Sequence, residues 1–597
     1  MKDFFKTMLA VICGILALEL IYGIFAGIAF VSLIAAGFSG SSAPEAKGIL
    51  DMDLSKIVIT EQKNPNDFSS LASLQSDLEV KQVALRDAVI ALKTAAADPS
   101  IKMVFLRPDG VSAGMADIQE LYKALAAFRE SGKPVIAFTE SPGNAAYYLA
   151  TAADKIYMSS AKGATYTLVG ISGRMIFLKD VLDKLGINYQ LIRHGKYKSA
   201  GEMYIRSSAS EANREQNRVM IKSAWDNFAG DICDARGIAP EKFNALIDNL
   251  SLCFPEDFLK EGLVDELVDR TALVNKLCLL YGVEEEEDLS ISSFADYANK
   301  LSETANTLRS VSKQPAVAVL YADGEIVDGS GYKGVAGDRF VREIEKIRKD
   351  NSVKAVVLRV NSPGGSVSAS AKIKDALQKL DAEKPVVASF GNYAASGGYW
   401  ISAGCRRIYA SPNTVTGSIG VFSLLPEFSR TAKKIGINVE TVGSNKHSDM
   451  FTLMRPFDKE ETAYFQSSVE DIYDTFVNLV ADGRGIAPEK VDEIAQGRVW
   501  MGSDALKLDL VDLNGTLEDA IADAASMAGL VSTSDYMVKS YPAPLTIAEQ
   551  ILQALGQNTQ EPSILSGSPF EVLGNTLTES PAPEKVYARM PYSLEIR

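Results

Sequence analysis

The stretch KAVVLRVNSPGGSVSASAKIKDALQKLDAEKPVVASF, Lys354 to Phe390, reads as strand, helix and strand. "KAVVLRV" is a short β-branched run with no polar face, "ASAKIKDALQKL" has helical periodicity, and "KPVVASF" is a second apolar run. Upstream, Phe340, Val341, Ile344 and Ile347 mark one face of another helix. Near-continuous apolar strands alternating with helices imply a parallel sheet covered on both faces, joined by right-handed crossovers. Reactive groups in such sheets gather at the carboxyl ends of the strands.

The same pattern occurs twice. "RGIAPEK" stands at Arg236 to Lys242 and again, unchanged, at Arg484 to Lys490. Around it lie "VFLR" (Val104 to Arg107) and "VVLR" (Val356 to Arg359), "GKPVIAF" and "EKPVVASF", "KLGIN" and "KIGIN", and "GLVD" and "DLVD". In the first copy, Leu85, Ala88, Val89 and Leu92 repeat the helix ahead of "KMVFLR". Ordered matches at nearly constant offset indicate a duplicated unit. The expected organisation is 1–45 as cytoplasmic start, membrane anchor and linker, 46–310 as one repeat, 311–540 as the second, and 541–597 as a poorly packed tail.

Composition narrows the function. The chain has 597 residues, of which 47% are hydrophobic and 23% charged, and its net charge of −15 with no basic stripe argues against a nucleic-acid partner. Five scattered cysteines without CxxC spacing indicate neither a disulfide framework nor a zinc site. With only two histidines, His194 and His447, a His-based triad has few candidates and a His-rich metal site none. We read both as surface residues, and "EEEED" (Glu284 to Asp288) as a solvated linker face. From Met8 to Phe38 the chain is apolar except for Glu19, and a helix of about thirty residues exceeds the ~30 Å hydrocarbon core of a bilayer. An uncleaved tilted anchor is expected, and Lys2 and Lys6 ahead of it place the bulk of the protein outside the cytoplasm.

The two copies differ where chemistry would sit. After the strand "VVLRV" the second copy has "NSPGGSV", Asn361 to Val367, against "PDGVSAG" in the first. Gly364 and Gly365 would let backbone N–H groups approach a ligand, as an oxyanion site requires, and a tight turn would use them equally. At the next strand-to-helix junction the second copy has Ser396 and the first has Asn144, either of which could cap a helix. In "HGKYKSAGE" the first copy offers Lys198, and the matching segment "SNKHSDM" has Ser448. Each copy thus keeps the half that the other lacks. A lysine can serve as base for a serine only when neutral, and bringing its pKa from ~10.4 to near 7 costs about 4–5 kcal/mol of differential solvation. That requires burial; an exposed Lys198 would defeat the pairing.

Taken together, "NSPGG", "ASGGYWIS" (Ala395 to Ser402), "TGSIG" (Thr416 to Gly420) and "GKYKSAGE" resemble the signal peptide peptidase A family in its long, duplicated, membrane-anchored form. The resemblance covers the anchor and both repeats. It implies the Clp protease and crotonase-like fold, and a serine endopeptidase needing no metal or cofactor. It further implies Ser396 as nucleophile, Lys198 as general base, Ser418 as the hydroxyl that orients the lysine, and oxyanion donors among Gly365, Gly397 and Gly364. Remnant signal peptides as substrates, the bacterial cytoplasmic membrane as location with the catalytic part on the periplasmic side, and a homotetramer follow from the same likeness. Tyr399 and Trp400 are expected in the core, and "MFTLMRPF" (Met450 to Phe457) as an apolar lip or a packed loop. Rival readings are a crotonase-like acyl-CoA enzyme, which needs neither Ser396 nor Lys198, and a non-catalytic membrane scaffold.

Overall fold

A computed structural model describes residues 46–62, 80–311, 314–331, 334–542 and 586–590. The stretch Lys354 to Phe390 folds as read. Strand Val353–Ser362, helix Val367–Glu383 and strand Val386–Ala395 follow in order, and the two strands pair in parallel. The second repeat's main sheet runs, in spatial order, Val499–Met501, Val415–Gly417, Val386–Ala395, Val353–Ser362, Ala316–Asp323 and Met537–Tyr541. Val499–Met501 is the antiparallel member of that row. Alternation along Ala316–Asp323 sends Ala316, Ala318 and Leu320 to one face and Val317, Val319 and Tyr321 to the other.

Each face is covered, which is why these strands carry no polar side. Phe340, Ile344 and Ile347 of helix Gly337–Lys349 pack on one face with Ile373, Leu377 and Leu380 of helix Val367–Glu383. Leu517, Ile521 and Ala524 of helix Leu517–Met527 cover the other. Each fully buried Leu, Ile or Phe stabilises by roughly 1.5–3 kcal/mol. Tyr399 and Trp400 belong to this core, as expected.

The first repeat builds a parallel sheet of the same kind, in the order Glu266–Val268, Lys155–Ser159, Val135–Thr139, Ile101–Arg107, Gly48–Asp53 and Ile291–Ser293. The duplicated "RGIAPEK" has a local cause. In each repeat a 26-residue helix, Glu211–Arg236 or Lys459–Arg484, ends at a glycine in the left-handed region, Gly237 or Gly485. A second helix then begins on proline, Pro240 or Pro488. Glycine after the last turn and proline in the first turn are the residues those positions favour. The arginine meets the aspartate of the later "LVD": Arg236 with Asp265, and Arg484 with Asp512.

The repeats interlock. Strand Asn188–Arg193 of the first repeat pairs antiparallel with Phe422–Glu427 of the second, and so enters a small third sheet. That sheet runs Val335–Ala336, Ile326–Val327, Gly364–Ser366, Tyr587–Arg589, Phe422–Glu427 and Asn188–Arg193. Residues 586–590 therefore correct the expectation of a poorly packed tail, because they supply a strand with Ala588 fully buried. Between the main sheets, Asn392 Oδ1 accepts the Ala116 N–H at 3.0 Å, so the second repeat caps the first-repeat helix Met115–Glu130. No helix among the described residues is long and apolar enough to cross a membrane, and the span expected at Met8–Phe38 lies outside them.

Candidate active site

Ser396 joins strand Val386–Ala395 to the short helix Gly397–Ser402. Its φ of 55° lies in the left-handed region, which a side chain seldom adopts without compensation. Its N–H donates to the Gly417 carbonyl at 2.8 Å, and its carbonyl accepts the Trp400 N–H at 2.8 Å. The glycines that follow permit close packing. A Cβ on Gly397 would lie 2.8 Å from Ser370 Oγ, and one on Gly398 would lie 2.7 Å from the Ser362 carbonyl oxygen.

Lys198 reaches Ser396 from the other repeat, on the loop after Asn188–Arg193. That loop is tied down on both sides of the lysine. Gln216 Nε2 donates to the Tyr197 carbonyl and to Ser199 Oγ, both at 3.0 Å, and Arg193 Nη1 donates to the Lys198 carbonyl at 2.6 Å. The Lys198 side chain is fully buried. Its Nζ lies 2.7 Å from Ser396 Oγ and 3.0 Å from both the carbonyl oxygen and the Oγ of Ser418. These three neighbours satisfy a neutral amine, with two N–H groups donated to Ser418 and the lone pair accepting the Ser396 hydroxyl. Among the described residues no carboxylate pairs with it, and burial pulls its pKa well below the ordinary lysine value. The lysine and the serine come from one chain.

Ser418 is also held at positive φ, 51°, with its N–H donated to the Arg498 carbonyl at 2.6 Å. Of the three candidate oxyanion glycines, Gly364 already donates its N–H to Ser362 Oγ at 3.2 Å. Gly365 and Gly397 come close together: a Cβ on Gly397 would lie 3.1 Å from the Gly365 nitrogen.

The first copy's counterpart is closed. Asn144 Oδ1 accepts the N–H groups of Val169 and Gly170 at 3.2 and 3.1 Å, and Nδ2 donates to the Gly170 carbonyl at 3.0 Å, so its side chain is spent on a loop. Ser448, the counterpart of Lys198, is exposed. Both histidines are partly exposed, each with contacts of its own. His194 stacks on Tyr473 with ring centroids 3.9 Å apart, and His447 meets Glu461 and Glu460 at 3.1 and 3.2 Å. Of the stretch Met450 to Phe457, Met450 and Phe457 pack against the core, with the Phe457 ring 4.8 Å from that of Phe465, while Phe451 and Met454 are exposed.

Gly497 is a participant that motif reading missed. It has φ of 79°, and a Cβ there would stand 2.6 Å from Lys198 Cβ. Its signal in sequence is one glycine in "QGRVW", indistinguishable from any turn. Gly497→Ala should displace the lysine and lower kcat by about 100-fold with KM little changed, since a shift of about 1 Å at a catalytic group carries that penalty. Steady-state kinetics check this; a loss under about twofold would mean that the loop yields instead of the lysine.

A serine hydroxyl beside a buried lysine amine whose pKa burial lowers, with Gly365 and Gly397 close together nearby, can run acyl transfer. Comparison with known proteins agrees. Peptidase family S49 matches residues 127–284 and 378–531, one segment in each repeat, and the Clp protease family matches 311–418. The chain is 34% identical to Protease 4 of Salmonella typhi, over 87% of this chain and 84% of that protein. It is 34% identical to Protease 4 of Haemophilus influenzae over 77% and 75% of the two chains. It is 31% identical to the chloroplastic serine protease SPPA of Arabidopsis thaliana over 83% and 72%.

Proposed function

The chain belongs to peptidase family S49 and is a serine peptidase, and on that premise we propose that Ser396 and Lys198 form its catalytic dyad, acting on extended apolar peptides such as remnant signal peptides. The observation that carries this reading is the buried 2.7 Å contact between Lys198 Nζ and Ser396 Oγ. Neutral Lys198 takes the hydroxyl proton as Ser396 Oγ attacks the peptide carbonyl. Ser418 keeps the amine aimed by occupying its other two directions. The N–H groups of Gly365 and Gly397 receive the developing oxyanion, in place before the charge forms. Lys198 returns the proton to the leaving amine, and the acyl group stays on Ser396. Lys198, neutral again, deprotonates the water that releases it.

The third sheet suggests where the peptide lies. Strands Gly364–Ser366 and Phe422–Glu427 flank the position that Tyr587–Arg589 takes in the sheet, and an extended substrate backbone could pair with both edges in its place. A membrane anchor at Met8–Phe38 would hold this position near apolar segments left in the bilayer, on the periplasmic side, and a homotetramer fits the family likeness.

Brief incubation with an apolar peptide ester, acid quench and peptide mapping test the assignment. The acyl group is expected on Ser396. Ester turnover with the acyl group on another residue would overturn the nucleophile.

A further inference from the structure

The lysine loop is closed at its base by an ion pair. It runs from strand Asn188–Arg193 to the short helix Glu202–Ile205, with Arg193 and Glu202 at its two ends and Lys198 between them. The helix folds back on the strand: the Tyr204 ring lies 4.8 Å from that of Tyr189, and a Cβ on Gly201 would stand 2.4 Å from Leu191 Cδ1. That return brings the ends together. Arg193 Nη1, which donates to the Lys198 carbonyl at 2.6 Å, also meets Glu202 Oε1 at 3.3 Å. Gln216 reaches the residues on either side of Lys198, whereas Arg193 holds the carbonyl of the lysine itself.

Glu202 is 1% exposed, and its second oxygen is occupied as well. Oε2 accepts the Ser210 N–H at 3.1 Å and Asn213 Nδ2 at 3.2 Å, where Ser210 caps helix Glu211–Arg236. Burial alone would favour the neutral acid, but the Ser210 N–H and hydroxyl together with Arg193 outweigh it and hold the carboxyl below its usual range. An ionised group in the interior needs such partners, and the cost of losing one keeps the ends of the loop together. The two copies differ accordingly. Counted from "KLGIN" and "KIGIN", the second copy has Gly443, Ser448 and Thr452 where the first has Arg193, Lys198 and Glu202, so the arginine and the carboxylate accompany the lysine.

We infer that Glu202 is a positioning residue of the reaction: acting through Arg193, it fixes the Lys198 backbone so that Nζ reaches Ser396 and Ser418 together. This rests on the Ser396–Lys198 reading. A shift of about 1 Å at such a group costs about 100-fold in rate. The pH dependence separates this role from an electrostatic one. Burial is what lowers the Lys198 pKa, so a loosened seat that admits water raises it, whereas loss of a nearby negative charge would lower it.

The test measures kcat, KM and the pH profile of kcat/KM on an apolar peptide for Glu202→Gln and Arg193→Lys, with Lys198→Met alongside. Arg193→Lys keeps a charge beside Glu202 but replaces the guanidinium fork by a single ammonium, so it carries the test if Glu202→Gln does not fold. Each is expected to lower kcat at neutral pH by about 10–100-fold with KM within about twofold, and to move the rising limb of the profile up by about one pH unit. A Glu202→Gln as active as wild type beside an inactive Lys198→Met overturns the inference and spares the dyad. An equal loss at every pH with the limb unmoved reduces Glu202 to a structural role, and a limb moved downward makes its role electrostatic; either overturns the inference. An active Lys198→Met overturns the dyad and the inference with it.

Discussion

Lys198→Met should lower kcat for peptide hydrolysis by at least about 10⁴-fold, matching Ser396→Ala, because members of a catalytic unit fail together rather than additively. Methionine keeps the length and the apolar stem and removes the lone pair that receives the serine proton. The fold should tolerate the change. Two acceptors on Ser418 lose a donor and the Ser396 hydroxyl loses its acceptor, at about 1–3 kcal/mol for a buried group left unpaired. Against this, the cost of burying an amine disappears. The pH dependence carries the same signature. Burial holds the Lys198 pKa well below its ordinary value, so kcat/KM should rise with pH as the neutral fraction grows and level off above that depressed value. The stability sign is also determined. Between the depressed value and ~10.4 the unfolded lysine holds a proton that the folded one does not, so this residue's contribution to stability rises with pH across that window and is lost as pH falls through it. Lys198→Met should remove both slopes. Retention of more than about a tenth of wild-type kcat in a folded Lys198→Met would assign the base elsewhere.

What could be read before any coordinates divides by distance along the chain. The duplicated "RGIAPEK" is a helix end followed by a helix start, both written in residues whose backbone preferences act locally, and it appears as such in both repeats. The apolar strands are continuous because both faces are covered, so their period was readable too. Ser396 and Lys198 emerged by comparing copies, since each copy had lost the other's partner. The residues that escaped are those defined by a remote backbone. Gly497 matters because Lys198 lies against it, 299 positions away by number. Ala588 matters because it stands opposite Gly365, and nothing local marks "VYARM" as a strand that enters a sheet across the molecule. Strand Asn188–Arg193 was likewise unmarked as the element that leaves one repeat for the other, although that exchange is what carries the lysine to the serine.

The second large effect concerns the joint between the repeats, where Arg359→Met is expected to destabilise the full chain by about 3–5 kcal/mol. The two copies of "VLR" and "FLR" end differently. Arg107 is half-exposed and pairs within its own repeat, with Asp51 and Asp53 at 2.6 and 3.0 Å. Arg359 is 1% exposed and reaches across. Its Nε and Nη2 each meet a Glu61 oxygen at 2.9 Å, its Nη1 meets Glu120 at 2.7 Å, and Ser389 Oγ accepts a further bond at 3.0 Å. Asp117 lies 4.0 Å away, and its other oxygen accepts from Asn392 Nδ2 at 2.7 Å. One cation thus faces three buried carboxyls from the first repeat. Burial, followed by the neighbouring Glu61 carboxylate, pushes the Asp117 carboxyl well above the usual range, and burial raises Glu120 as well. Raised acids lose stability as pH climbs above their unfolded values, because the folded state then binds more protons than the unfolded one. Removing the arginine strands the ionised partners, which costs more than the intact network contributes over an apolar replacement. The triple change Arg359→Met, Glu61→Gln, Glu120→Gln should therefore recover most of the loss. Urea denaturation with an unchanged slope reads both variants. A single Arg359→Met as stable as the parent would mean that the three carboxyls are already neutral and that the other contacts between the repeats, the shared sheet and the Asn392 cap among them, hold them together.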